Sequence, residues 1–192
     1  MSTPPLFCVA CIDFRFDAMT AEFFKAVGRE YDFFLSTAAG GALALSSGAM
    51  LTATYQSSNV LELLKASLTT NLDIALTLQP IRDLFLMNHQ DCGAMKAFLE
   101  CSGYPNYLGD NNKRELEIQG EVLTYANQEV AARYPYKRIF LTLIDINGSV
   151  AQYNIAENSW TILHVGAGMH GSLDPRGLWF GLQQGEIYTF EK

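Results

Sequence analysis

Leu6-Phe7-Cys8-Val9-Ala10-Cys11-Ile12-Asp13-Phe14-Arg15 is the stretch on which the reading of this chain turns. Its first six residues are a short apolar run, which reads as a buried strand. Its last five set a thiol, a carboxyl and a guanidinium at intervals of two. In an extended segment residues i, i+2 and i+4 share one face, so Cys11, Asp13 and Arg15 would project together while Ile12 and Phe14 face the other way. A second cluster, His89-Gln90-Asp91-Cys92-Gly93, follows a third strand-like run at 84–87. In α/β sheets functional groups gather beyond the carboxyl ends of the strands. Cys11 ends the first strand and His89 follows the third, so both are expected at that edge.

Working outward, residues 17–27 carry Met19, Phe23, Phe24 and Val27 at helical spacing, with Gly28 as a stop. Residues 33–36 read as a second strand running into Ala38-Ala39-Gly40-Gly41. The small and polar segment 42–58 has no clear period. Residues 60–68 and 72–78 read as two helical pieces separated by Thr69-Thr70-Asn71, with Pro80 ending the second. Gly93–Cys101 reads as a helix, 102–112 as a loop, and 115–134 as the longest helix. Arg138–Ile144 is a fourth strand, and Asn147-Gly148 marks a tight hairpin turn. Val150–Asn154 and 160–165 read as further strands. Strand–helix alternation over the first 145 residues argues for an α/β fold with a mostly parallel sheet flanked by helices, followed by a more antiparallel C-terminal portion.

The 192 residues are expected to form one domain over 1–192, with 149–192 as a candidate C-terminal extension of it. Hydrophobic residues make up 49% and charged residues 17%, a globular balance. The net charge of −7 argues against nucleic acid as a partner, because it repels phosphate backbones. No apolar run approaches the ~18 residues of a membrane span, and strand-like sequence from Leu6 leaves no room for a signal peptide. The expected location is therefore cytoplasmic. Thiols stay reduced there, so the four cysteines read as metal-binding or catalytic groups rather than a disulfide framework.

Two thiolates and a neutral imidazole, from Cys11, Cys92 and His89, suit zinc at ~2.0–2.3 Å, and three protein ligands leave a tetrahedral metal one open position. The soft sulfurs favour zinc over magnesium or calcium. Cys92 falls near a helix start, where free N–H groups stabilise a thiolate. Arg15 would keep Asp13 ionised and therefore able only to accept hydrogen bonds. Asp13 would either receive the proton side of the water on the metal or swing onto the metal and close the site.

Cys-x-Asp-x-Arg, followed about 75 residues later by His-x-x-Cys-Gly, resembles the β-class carbonic anhydrases. The resemblance runs from Leu6 to about Cys101 and extends to the long helix and the strand after it, and is nearest to a carbonic anhydrase-like branch with Tyr-Asp before the glycine loop (Tyr31-Asp32) and His-x-Asp-Cys-Gly-Ala (His89 to Ala94). It implies a Rossmann-like sheet, zinc on Cys11, His89 and Cys92, a catalytic pair of Asp13 and Arg15, and a substrate pocket walled by Ala39, Gly40 and Gly41. It also implies a homodimer or higher homo-oligomer with the site near the interface. The implied reaction is reversible hydration of carbon dioxide to bicarbonate, in which zinc makes hydroxide available near neutral pH. The chain departs from the pattern at Thr37-Ala38, where many members carry Arg-Asn, and the connection over 42–70 is longer than usual. Carbonyl sulfide and carbon disulfide hydrolases resemble the same scaffold, so that substrate class and a non-catalytic, zinc-stabilised binding protein are the competing readings.

Other signals read as structural. Cys8 and Cys11 are a C-x-x-C, but residues three apart on a strand face opposite sides, which makes Cys8 a core residue. Gly166-Ala167-Gly168-Met169-His170-Gly171 has the letters of a dinucleotide fingerprint without a convincing following helix, and reads as a turn. His164 and His170 are secondary candidates for proton transfer. Glu115, Glu117, Glu121 and Glu129 read as the wet face of a helix. Asp91, between two ligands, reads as a loop-orienting or surface residue.

Overall fold

Leu6–Cys11 forms strand β1 with both faces covered, which is why its sequence is continuously apolar. Leu6, Cys8 and Ala10 enter one buried cluster, and Phe7 and Val9 enter another. The structure is a computed structural model describing residues 5–30, 32–46, 60–101, 112–168 and 170–189. Strand β1 pairs in parallel with β2 (Phe33–Ala38) on one side and β3 (Asp83–His89) on the other. β3 pairs in parallel with β4 (Arg138–Ile144). Three antiparallel strands, β5 (Val150–Asn154), β6 (Ser159–His164) and β7 (Ile187–Thr189), extend the same sheet in the order β2-β1-β3-β4-β5-β6-β7. The α/β class and its antiparallel C-terminal portion are as the sequence implies. Strand β7, only three residues long, carries no pattern that would announce it.

Helix α1 (Asp17–Ala26) lays Phe23 and Phe24 on one face of the sheet, against Leu6, Cys8, Phe85, Ile144 and Val150. Helices α2 (Val60–Leu78) and α4 (Asn112–Arg133) cover the other face with Leu68, Leu72, Leu123 and Val130 against Phe7, Val9, Leu84 and Leu86. Helix α3 (Gly93–Cys101) starts directly after the second sequence cluster. The strand order reverses at β1, whose two neighbours are reached by crossovers in opposite directions. The crevice beyond the carboxyl ends of β1 and β3 is therefore the topological switch point.

The two helical pieces expected over 60–78 are one continuous helix. Its polar middle is accommodated because the Thr69 hydroxyl donates back to the Lys65 carbonyl at 2.9 Å, and the Asn71 amide donates to the Ser36 hydroxyl on β2 at 2.9 Å. The expected loop at 102–112 lies outside the described residues except for Asn112, which begins α4. Of the unassigned segment 42–58, residues 42–46 belong to a buried 3-10 turn, Gly41–Ser46, and the rest lies outside the described residues.

The hairpin between β4 and β5 closes as Asn147-Gly148 predicts. Gly148 adopts φ +80° and donates to the Asp145 carbonyl at 2.9 Å. The chain after β6 then packs against this turn. A Cβ at Gly166 would lie 2.1 Å from the Asn147 carbonyl oxygen, and the Gly168 amide donates to that same oxygen at 3.0 Å. Gly166 and Gly168 thus serve close backbone approach in a turn, and Gly171 supplies a positive φ of +76° with open space around it. No helix among the described residues is long and apolar enough to cross a membrane. Gly166→Ala is expected to lower the urea-unfolding midpoint by the equivalent of about 1–3 kcal/mol. An unchanged midpoint would show that the two backbones do not press together as described.

Candidate metal centre

Because β1 and β3 run parallel with Val9 opposite Leu86, Cys11 at the end of β1 comes level with the last residues of β3. His89 is the final residue of β3, and Cys92 lies one residue before α3. The donor atoms of Cys11, His89 and Cys92 all lie within 4.8 Å of one another, a grouping that can hold a metal ion. The two sulfurs are 3.8 Å apart.

His89 is 2% exposed and tightly oriented. Its Nδ1 donates to the Gln90 carbonyl at 2.7 Å, which leaves Nε2 as the lone-pair nitrogen. Phe16 stacks on the ring at 4.2 Å between centroids. Nε2 is buried and has no hydrogen-bond partner among the described residues, a costly state for a nitrogen so placed and the expected one for a ligand atom facing a cation. The donor set therefore fits a thiophilic divalent metal.

The thiols share their charge unevenly. Cys11 is held well below the ordinary thiol range, first by the Cys92 S–H, against the cost of burial, and then by His89 and the Gly40 amide. Cys92 is pushed up correspondingly, by Cys11 first and burial second. The Met95 and Ala94 amides at the start of α3 act to lower the Cys92 thiol, against Cys11 and burial.

Asp13 and Arg15 come together, by a route the alternation rule does not give. Strand β1 ends at Cys11, and Phe14–Phe16 is a 3-10 turn capped by the Asp13 carboxylate, which accepts the Arg15 amide at 3.1 Å. The Arg15 side chain then folds back on the cap, donating from Nε at 3.0 Å and Nη2 at 2.6 Å. Arg15 accordingly holds the Asp13 carboxyl below the usual carboxylate range. Asp13 Oδ2 lies 3.9 Å from His89 Nε2. Ile12 and Phe14 do face away, at 60% and 82% exposure.

Of the glycine loop, Gly40 reaches Cys11 through its amide. Gly41, at φ +57°, lies so close to the Cys11 amide and the Met87 carbonyl that a Cβ would crowd both. Cys8 is buried in the cluster around Phe23 and Phe24, away from Cys11, and burial pushes its thiol up. His164 packs near Phe23, and His170 sits exposed in the turn; neither joins the ligand group.

Several residues at the centre are not evident from the sequence. Asn88 accepts the Ala42 amide at 3.0 Å and donates to Gln119 at 2.9 Å, and Gln119 donates to the His89 carbonyl at 3.1 Å. Gln90 donates to the Arg176 carbonyl at 2.8 Å and accepts the Ile146 amide at 3.2 Å, tying the C-terminal segment to the ligand loop. Glu115 corrects the expectation of a wet helix face. It is 5% exposed, accepts the Asp91 amide at 2.8 Å, and burial pushes its carboxyl up to about 7. Glu117, Glu121 and Glu129 stay at least partly exposed. Arg15, Phe16, Gln90, Asp91 and Glu115 line a cavity of about 850 Å³ together with the segment Ser172 to Arg176.

No family profile matches the chain. A Rickettsia bellii (strain RML369-C) protein described only as uncharacterized is 22% identical over 144 residues, 75% of this chain and 78% of its own length. Among solved structures, the β-carbonic anhydrase CcaA matches with a TM-score of 0.41 and 15% identity, covering 82% of each chain.

Between about pH 4.5 and 7 the folded, metal-free protein holds a proton on Glu115 that the unfolded chain releases, so Glu115 makes stability fall as pH rises through that window. The full shift corresponds to ~3 kcal/mol. Glu115→Gln should therefore gain on wild type in urea unfolding between about pH 5 and pH 8. A difference from wild type that is the same at both pH values would overturn this.

Proposed function

We propose that this chain is a zinc enzyme of the β-class carbonic anhydrase kind, catalysing the reversible hydration of carbon dioxide to bicarbonate. One observation carries the reading. Cys11, His89 and Cys92 present three soft or borderline donors within 4.8 Å, beside a carboxylate that Arg15 already holds. Zinc, when bound, supplies the Lewis acidity that ionises water near neutral pH.

The residues of the chain supply the rest. Cys11, His89 and Cys92 would hold the ion and leave a fourth position free. Asp13, held ionised by Arg15, can only accept a hydrogen bond, so it would orient the hydrogen of the attacking water and leave the lone pair of that oxygen directed at the carbon of carbon dioxide, the proton released in the reaction leaving to solvent. Arg15 keeps that carboxylate from drifting the 3.9 Å towards the His89 nitrogen. Ala39, Gly40 and Gly41 would wall the substrate side, where the absence of side chains lets a small linear substrate approach. Exposed Ile12 and Phe14, flanking Asp13, and Leu35 on the edge strand β2 are among the exposed apolar residues that a homo-oligomer with the site near its interface would cover.

Metal content and stopped-flow hydration together test the proposal. Wild type should carry about one zinc per chain, Cys92→Ser should lose it, and Asp13→Asn should keep it while hydration falls about 10²-fold or more. Two thiolates offset much of the metal charge, so the rate should climb between about pH 6.5 and 9. Bound zinc without hydration at any pH in that range would sink the reading. Turnover of carbon disulfide or carbonyl sulfide in its place would reassign the site to a hydrolase.

A further inference from the structure

Helix α4 grips the ligand loop at two points one helical turn apart. Gln119 donates to the carbonyl of His89 at 3.1 Å, and Glu115, four residues earlier, accepts the amide of Asp91 at 2.8 Å. Residues at i and i+4 lie on the same helix face, so the pair acts as a two-pronged clamp on residues 89–91. Asp91 needs such a hold. Its φ of +57° is the left-handed conformation that non-glycine residues adopt at a cost.

The strained turn has a consequence for Arg15. In this conformation Asp91 offers two acceptors to the guanidinium, its carboxylate to Nη1 at 3.4 Å and its carbonyl to Nη2 at 3.3 Å. The other edge of the same guanidinium holds Asp13 through Nε and Nη2. Arg15 is therefore bracketed between two aspartates, and the amide of the second is held by Glu115. We propose that Glu115 is a positioning residue, acting through Asp91 on Arg15, that keeps the Asp13 carboxylate in its arginine-held position. The functional meaning of this role rests on the carbonic anhydrase reading above; the mechanical coupling does not.

A carboxylate or its amide isostere can accept the Asp91 amide, whereas an apolar side chain cannot. Without an acceptor the Asp91 peptide can rotate out of the left-handed conformation, which removes the backbone acceptor from Arg15 and displaces the carboxylate one. Glu115→Met keeps the bulk and removes the acceptor; Glu115→Gln keeps both.

The test reads the Arg15 guanidinium directly, by NMR exchange of its Nε–H in the full chain, without substrate. Arg138, bonded through Nε to Asp83 at 2.7 Å on a different part of the sheet, is the internal control. Glu115→Met should speed exchange of the Arg15 Nε–H about ten-fold and leave that of Arg138 unchanged, while Glu115→Gln should stay within about three-fold of wild type. Asp91→Gly, which fits the left-handed conformation without strain but lacks the carboxylate, should produce a smaller acceleration and provides the readout if Glu115→Met does not fold. Unchanged Arg15 exchange in Glu115→Met, or in Asp91→Gly where that variant is the readout, would overturn the proposal. So would equal acceleration at Arg138. A wild type that binds zinc but hydrates no carbon dioxide would count against the enzymatic reading alone.

Discussion

The parallel pairing of β1 with β3 is the constraint on which the centre depends. It sets the ends of two apolar strands side by side at the point where the sheet order reverses. Both strands are buried on both faces, so a slip in register would drive the pattern of Leu6 to Ala10 against the wrong helices. Cys11 and His89, the last residues of β1 and β3, thus inherit their separation from core packing. Only Cys92 arrives by a loop, and that loop is short and held at both ends.

Around this frame a buried polar network replaces what side-chain packing cannot supply. Asn88 faces the 3-10 turn after the glycine loop and, through Gln119, the carbonyl of His89. Each member has named partners, the condition under which a buried network rigidifies a site instead of weakening it. Gly41 belongs to the same design, because a Cβ there would meet the Asn88 side chain at 3.0 Å. The glycine loop approaches the centre because one residue lacks a side chain and the next strand supplies an amide to receive it.

The sequence carries the parts governed by local pattern. Continuous apolar runs mark strands that are covered on both faces, and Asn147-Gly148 marks a hairpin whose conformation few other residues accept. The candidate ligands stand out because a thiol and an imidazole at strand ends, with a second thiol at a helix start, have few bland explanations. Glu115 does not stand out. On a helix bearing Glu117, Glu121 and Glu129 it looks like one more solvated carboxylate, and only the docking of α4 over the ligand loop distinguishes it. The Asp13–Arg15 pair is anticipated for an incomplete reason. Alternation along a strand predicts a shared face, whereas a capped 3-10 turn creates the contact. Thr69-Thr70-Asn71 misleads in the opposite sense, because hydroxyl back-bonding and a tertiary partner stabilise polar residues that propensity reads as a break.

If Cys11, His89 and Cys92 hold a divalent metal, charge accounting favours an open fourth position over one closed by Asp13. Two thiolates would neutralise a bound divalent cation, and an imidazole ligand adds no further charge. An added carboxylate would make the centre anionic in a largely buried setting, where uncompensated charge is expensive. Asp13 already has its compensation, in an arginine that donates to it from two side-chain nitrogens and its own amide. Hydrogen bonds to charged groups contribute about 1.5–3 kcal/mol each, so moving the carboxylate onto the metal would forfeit several kcal/mol. It would also leave Arg15 with Asp91 alone, at the longer distances of 3.3–3.4 Å. Metal affinity for a fourth, hard oxygen ligand has to exceed that loss before the site closes, and the soft sulfur pair already present lowers that affinity.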